Sequence, residues 1–163
     1  MANYQDPYKF NIVLNSLYIS LPASGNNNDC SYEFNWTNIP RGKYLMNFSY
    51  RGTNNADLVA SDSPQVFLSI TSVPSVYEAN GEYGSNISNF IGSLRIDTHA
   101  AAQAYFYANL NDNPDVFFNN TPTNGLIRVK VFRDDFSTPF RTITGGFDLA
   151  NYVMVLSFTK INE

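Results

Sequence analysis

Apolar residues recur at every second position along most of the chain, and this spacing limits the fold more than any other feature. The alternating runs extend from Tyr8 to Phe158, and Asn, Gly, Pro, Ser and Asp separate them. Successive side chains of a β-strand point to opposite faces, so a period of two builds a half-buried sheet. The sequence therefore predicts an all-β protein.

About eight runs are long enough for main strands: residues 8–19, 32–36, 44–50, 66–70, 87–97, 104–110, 127–131 and 150–161. Eight strands predict a two-sheet antiparallel sandwich, of which a single jelly roll is the commonest eight-stranded form. Another Greek-key sandwich or a closed barrel fits the same pattern, because alternation does not determine strand order. We expect a single domain over residues 1–163, with a short N-terminal tail at residues 1–7.

Several segments carry more specific expectations. The runs Tyr32–Trp36 and Tyr44–Tyr50 flank a short turn with Pro40 and Gly42, which predicts an antiparallel hairpin. Residues 98–110 are ambiguous, since the alanines at 100–102 favour a helix whereas the alternation around Tyr105 and Tyr107 favours a strand. We predict a strand there. Shorter features are a bulge at Gly92, short strands at 58–59 and 116–118, and a turn at 111–115.

The final run is apolar on both faces. Tyr152, Met154, Leu156 and Phe158 alternate with a second apolar set that includes Val153 and Val155. A strand of this kind lies either centrally beneath a covering loop or against another subunit. Tyr105 and Tyr107 allow the same two interpretations.

The charge pattern argues against nucleic acid. The net charge is −4, the pI is about 4.8, and the ten Lys and Arg residues are scattered. The densest group is Arg128, Lys130 and Arg133, of which the first two share the outer face of one strand. A nucleic-acid binder normally presents a concentrated basic surface. We therefore expect no nucleic-acid partner.

Compartment and membrane signals are also missing. Cys30 is the only cysteine, so an intrachain disulfide cannot form. The first residues carry no apolar core of a secretory signal, and no stretch approaches the roughly 20 apolar residues of a membrane helix. These observations predict folding in a reducing, cytosol-like compartment without membrane insertion.

Nucleophilic and zinc chemistry have few candidates. His99 is the only histidine, and in a strand it shares a face with Asp97, a spacing that can orient an imidazole. Cys30 has no evident base, so we interpret it as a packing residue. One Cys and one His cannot supply the four ligands of an ordinary zinc site.

Carboxylates are more numerous, but no pair stands out. Asp112 and Asp115 flank Pro114, and Asp134 and Asp135 begin a long loop. Such loops can bind calcium, although Asp and Asn in turns usually bond their own backbone. There is no phosphate-binding loop or dinucleotide motif. We predict no catalytic, cofactor-binding or metal-binding residues and no enzymatic activity.

Spaced segments of the chain resemble a known group of proteins. They are Tyr32-Glu-Phe-Asn-Trp36, Ile39-Pro-Arg-Gly-Lys-Tyr44, Met46-Asn-Phe-Ser-Tyr50, Asn111-Asp-Asn-Pro114, Thr121-Pro-Thr-Asn124, Ile127-Arg-Val-Lys-Val131 and Tyr152-Val-Met-Val-Leu-Ser-Phe158. The pattern resembles the small β-sandwich minor capsid proteins of large icosahedral DNA viruses that infect algae and other protists. That resemblance implies a jelly-roll fold and no catalytic residues.

The resemblance also implies partners and a location. A minor capsid protein holds capsomers together, so its partners are the major capsid protein and other minor capsid proteins in a large hetero-oligomeric shell. It is located in the virion and assembled in the host cytoplasm. A carbohydrate-binding β-sandwich is the alternative function, although the alternation of Trp36 with Phe34 places the only Trp inward.

Overall fold

The computed structural model describes residues 8–18, 21–22, 27–54, 65–70, 90–99, 103–118, 121, 125–133 and 151–161, without the side chains of 21–22, 53–54, 65, 67, 69–70, 97–99 and 103–106. The described residues form eleven strands and one 3₁₀ turn, Ser16–Tyr18. The strands are β1 (Lys9–Asn15), β2 (Leu21–Pro22), β3 (Asp29–Phe34), β4 (Tyr44–Asn54), β5 (Gln65–Ile70), β6 (Phe90–Ser93), β7 (Arg95–His99), β8 (Gln103–Ala108), β9 (Val116–Phe118), β10 (Gly125–Phe132) and β11 (Tyr152–Lys160).

The strands form two antiparallel sheets. Sheet A has the order β1-β11-β4-β8-β7, with the short strand β9 also paired to β4. Sheet B has the order β2-β3-β10-β5-β6. Strands from the first half of the chain therefore pair with strands from the second half in reverse order: β1 with β11, β3 with β10, and β4 with β8. The predicted all-β antiparallel sandwich is confirmed.

The core lies between the two sheets, and the alternation of the sequence determines which side chains enter it. In β11, every second residue from Tyr152 to Phe158 is at most 2% exposed. Sheet B contributes the inward residues of β3, β5 and β10, among them Cys30, Tyr32, Val66, Leu68, Ile127, Val129 and Val131. Both sheets contribute to the same buried cluster, as a sandwich requires.

The predicted hairpin between the second and third runs is wrong. β3 pairs with β2 and β10 in sheet B, whereas β4 pairs with β8, β9 and β11 in sheet A. Residues 35–43 therefore cross between the sheets, which in a sandwich lie about 10 Å apart. Alternation specifies the buried face of each strand but not its hydrogen-bonded neighbour, so the aromatics of these runs pack across the core.

The fifth run divides between the sheets. β6 pairs with β5 in sheet B, and β7 pairs with β8 in sheet A. Leu94, between them, belongs to neither strand. The bulge predicted at Gly92 is confirmed, because the register opposite Val66 and Phe67 shifts and leaves Ile91 unmatched. Gly92 has φ = 149°, and a Cβ atom there would collide with the Asn113 side chain. Only glycine readily accepts this conformation.

Other predictions of local structure have different outcomes. The strand expected in the ambiguous segment 98–110 is confirmed as β8, and β9 and the turn near Asn111 are also present. The first run was expected to continue toward Ile19, but it ends at Asn15, whose Oδ1 accepts a hydrogen bond from the Leu17 amide at 3.0 Å. Residues 29–31 and 52–54 lie outside the predicted runs but belong to β3 and β4. The predicted strand at 58–59, the tail at 1–7 and the long loop that begins at Asp134 lie outside the described residues.

The described residues form eleven strands, whereas eight main strands were predicted, and the difference has physical reasons. One predicted run forms both β6 and β7, since it changes sheets at Leu94. β2 has two residues, too few for a period of two to be recognised in the sequence, and β9 was predicted as a short strand outside the eight main runs. The described residues share one core, while the single domain over residues 1–163 stays a prediction.

Candidate functional site

His99 and Asp97 were the only imidazole–carboxylate candidate. Both lie in β7, two positions apart, so the backbone places them on the same face of the strand. In the register, His99 is opposite Gln103 and Asp97 is opposite Tyr105. Their side chains are not among those described, so the pairing of imidazole and carboxylate stays a hypothesis.

Cys30 occupies the interior of the protein. Its exposed fraction is 0%, and its Sγ donates a hydrogen bond to the Asn27 carbonyl at 3.3 Å. The thiol belongs to the core cluster and faces the opposite sheet. A buried thiol in an apolar environment is shielded from substrates, which agrees with the predicted packing role.

The described carboxylates of the candidate loops hold the protein's own backbone and side chains. Asp112 accepts a hydrogen bond from the Asn109 amide at 2.8 Å and forms an ion pair with Arg95 at 3.2 Å. Asp115 accepts a hydrogen bond from the Asn47 side chain at 2.8 Å. Within the described ranges, no three His, Cys, Asp or Glu residues are close enough to hold a metal ion. Asp134 and Asp135 lie outside those ranges.

The basic residues of β10 share the outer face of sheet B, as predicted. Arg128 binds the Asp29 carboxylate through both Nε and a terminal nitrogen, each at 2.6 Å. The hydrogen bond to Asp29 raises the pKa of the Arg128 guanidinium. The ammonium group of Lys130 lies 5.9 Å from the centre of the Phe132 ring. These contacts join side chains of neighbouring positions on sheet B, and Arg128 is held in an intramolecular ion pair.

A cleft opens at the end of sheet B where β3 meets β10. It has a volume of about 760 Å³, and its lining combines an aromatic ring with polar side chains: Glu33, Phe34, Asn35, Thr37, Gly125 and Leu126. Trp36 does not line it. Its side chain is 2% exposed and packs edge-on against Phe34, which confirms its predicted inward position.

The outer face of sheet A is the second surface that stands out. We define it as the outward residues of its three adjacent strands: Asn11, Val13 and Asn15 of β1, Asn47, Ser49 and Arg51 of β4, and Val153, Val155 and Ser157 of β11. Eight of these nine residues are uncharged. Val13 is 63% exposed and Val153 is 39% exposed, and Val155 at the centre of the face is half-buried.

The position of β11 bears on the two interpretations of its apolar faces. It lies between β1 and β4, so it is an internal strand of sheet A. Val153 is 39% exposed, so the part of the chain that the structure describes does not cover it. Binding to another subunit therefore remains as a proposal for this face.

One row of side chains crosses the five strands β1, β11, β4, β8 and β7 of sheet A. The register aligns Asn15 with Val153, Val153 with Arg51, Arg51 with Tyr107, and Tyr107 with Arg95. Arg95 is paired with Asp112, whereas no described residue forms an ion pair with the Arg51 guanidinium. An exposed cation thus borders the apolar centre of the face.

Two residues of this surface were not identified from the sequence. Val13 interrupts the alternation between Ile12 and Leu14, and an apolar residue at an outward position was the available signal. Arg51 carries no such signal, because its neighbours Val153 and Tyr107 are about 100 and 56 positions away in sequence, a separation that only strand register resolves.

The described part of the chain contains no helix with the length and apolar character needed to cross a membrane. No protein-family model matches this chain, and no curated protein is significantly similar to it in sequence.

Proposed function

We propose that this protein is a structural component of a virion, a minor capsid protein that holds capsomers together through protein–protein contacts. The observation that carries the proposal is the outer face of sheet A, whose nine residues include exposed valines and a single charged residue. Exposed apolar surface of this kind marks protein–protein interaction sites. The partners proposed are the major capsid protein and other minor capsid proteins.

The pairing of the strands supports the proposal that the sandwich is a jelly roll. Four antiparallel pairs, β1–β11, β3–β10, β4–β8 and β5–β6, follow one another as a folded ribbon that wraps around a common core. Jelly rolls are two-sheet structures made of eight strands and two Greek keys, and they are frequent in viral capsids and in lectins. Fold alone does not identify the function, so the proposal also needs the exposed face.

The mechanism proposed is the burial of surface without chemical turnover. Charged residues make up only 15% of the chain, so charge repulsion between its surface and neighbouring proteins is weak. The buried cores of interfaces are more apolar than the rest of a protein surface, and the valines of the outer face supply apolar area. The proposal includes no catalytic residue, no cofactor and no nucleic-acid contact.

Quantitative mass spectrometry of purified virions tests this function. We expect the chain at a copy number that is constant between preparations and is a simple ratio to the major capsid protein. A second measurement uses virions that carry Val13→Asp, which places a charge on the outer face of sheet A and should lower the copy number. Absence of the chain from virions, or a trace amount that varies between preparations, would contradict the proposal.

A carbohydrate-binding module is the second candidate, and the cleft at the end of sheet B favours it. Phe34 offers an aromatic surface, and Glu33, Asn35 and Thr37 offer the carboxylate, amide and hydroxyl groups that bind sugar hydroxyls. A glycan array tests this function, with Phe34→Ala as the variant that should lose binding. An array without hits would eliminate the candidate.

A further inference from the structure

We infer that the partner bound by the outer face of sheet A is a second copy of this chain, related to the first by a half-turn. This inference rests on the proposed function in one respect, the role of the face as a contact surface. It goes beyond that function because it names the occupant. The register of the three strands provides the argument.

Two of the three valines lie in the middle row of the face, and Val153 lies in the row of Arg51. Val13 is opposite Val155, and Val155 is opposite Ser49. A half-turn axis can lie just above the sheet, parallel to this row and perpendicular to the strands. Each residue of the row then faces the same residue of the second copy, so valine packs on valine. A two-fold interface requires self-complementarity of this kind.

The flanking rows are complementary in charge. On one side of the valines lies the row of Arg51, and on the other side lies the row of Asn47. Asn47 donates a hydrogen bond to the Asp115 carboxylate at 2.8 Å, so this side carries a negative charge at its edge. The half-turn exchanges the two rows. It thereby brings the Arg51 guanidinium of each copy toward the Asp115 carboxylate of the other.

The area of the face indicates a weak dimer. The three strands of the face at about 4.8 Å and the five residues that each contributes at about 3.4 Å give a surface of roughly 250 Å² per copy. Two copies together would bury about 500 Å², half of the roughly 1,000 Å² expected of a specific interface. We therefore expect an equilibrium between monomer and dimer that depends on concentration, and not a permanent dimer.

Sedimentation velocity of the purified full chain over a wide concentration range tests the inference. The weight-average sedimentation coefficient should rise from the monomer value toward the dimer value. Val13→Asp should weaken dimerisation by about tenfold or more, because it buries two carboxylates without partners. Leu110→Asp is the matched control, since Leu110 is 42% exposed but lies outside the face. That variant should sediment as the wild type does.

A charge reversal distinguishes this geometry from other dimers. Arg51→Glu and Asp115→Lys should each weaken association, and the double variant Arg51→Glu/Asp115→Lys should restore it, because each copy again presents opposite charges to the other. A chain that stays monomeric at every concentration would overturn the inference. So would a dimer that is insensitive to Val13→Asp, or a face that is occupied only by a different virion protein.

The outcome is separable from that of the proposed function. A monomeric chain that is still present in virions at a fixed copy number would refute the second copy and leave the capsid role intact. A chain that dimerises but is absent from virions would refute the capsid role and leave the second copy as the partner of the face.

Discussion

The hydroxyl group of Tyr32 in sheet B donates a hydrogen bond to the hydroxyl group of Tyr152 in sheet A, with an O–O distance of 3.1 Å. Both side chains are at most 5% exposed, so the bond crosses the interior of the sandwich. The ring of Tyr152 stacks on that of Tyr50, with 4.6 Å between their centres. A polar contact between two phenols thus connects the sheets inside a largely apolar core.

Removal of either hydroxyl should destabilise the protein. Tyr32→Phe or Tyr152→Phe leaves one buried hydroxyl without this partner, and we expect each to lower the free energy of unfolding by about 1–2 kcal/mol. The double variant should cost less than the sum of the two by about 1 kcal/mol, since it removes both groups together. Urea unfolding of the four proteins measures this coupling. Strictly additive losses would contradict the bond.

The buried tyrosines should make stability fall at alkaline pH. Burial raises the pKa of Tyr32, Tyr50 and Tyr152 above the ordinary tyrosine value of about 10. Because the folded-state pKa values exceed the unfolded-state values, the contribution to stability is complete below about pH 10 and is lost as the pH rises above it. Above that pH, each tyrosine contributes a slope of about 1.4 kcal/mol per pH unit to the free energy of unfolding. The three together contribute about 4 kcal/mol per pH unit.

Urea unfolding between pH 9 and pH 11, a range of about one unit on each side of that value, measures the slope. Tyr50→Phe should reduce the part of the slope due to these three residues by about one third. Phe48→Leu is the control, since Phe48 is 1% exposed and its substitution removes packing but no titrating group. It should lower stability equally across the range. An unchanged slope in Tyr50→Phe would exclude the account.

The bulge in sheet B should not tolerate a side chain. Gly92→Ala forces an alanine to adopt φ = 149° and brings its Cβ against the Asn113 side chain, so we expect a loss of about 2 kcal/mol or more. Asn113 accepts a hydrogen bond from the Ser93 amide at 2.8 Å and donates one to the Ser93 carbonyl at 3.1 Å. Asn113→Ala therefore has its own cost. The double variant should lose less than the sum, and thermal unfolding compares them.

The ion pair on the outer face of sheet B should contribute modestly. Arg128 is 42% exposed in its side chain, so solvent screens its two contacts with Asp29. Arg128→Lys loses the paired geometry and should cost no more than about 1 kcal/mol. The difference between wild type and variant should shrink in about 1 M salt, where the screening length is about 3 Å. A difference that is independent of salt would indicate lost packing in place of lost charge.

Alternation made the buried faces predictable, because it depends only on neighbours in sequence. Tyr44, Met46, Phe48 and Tyr50 face the core as the pattern indicates, and Trp36 is buried at the end of its run. The crossing from β3 to β4 was not predictable from the sequence, because a short link with Pro and Gly suits both a hairpin loop and a crossing between sheets. Strand partners such as β1 and β11 are more than a hundred residues apart.

The candidate site was predictable only in part, for the same reason. Val153 and Val155 stand out because they break the polar half of an alternating run. The row that joins Val153, Arg51, Tyr107 and Arg95 arises from three separate strand pairings. Its existence depends on register, and a slip of one residue would move every member to the opposite face.

Thiol labelling tests most directly the claim that the outer face of sheet A is buried in a virion. The only native cysteine, Cys30, is 0% exposed, so Ser49→Cys adds one reactive thiol at the centre of the face. We expect rapid reaction with maleimide in the dilute free chain and a much lower rate in intact virions, with full labelling after denaturation. Equal rates in the free chain and in virions would contradict the account.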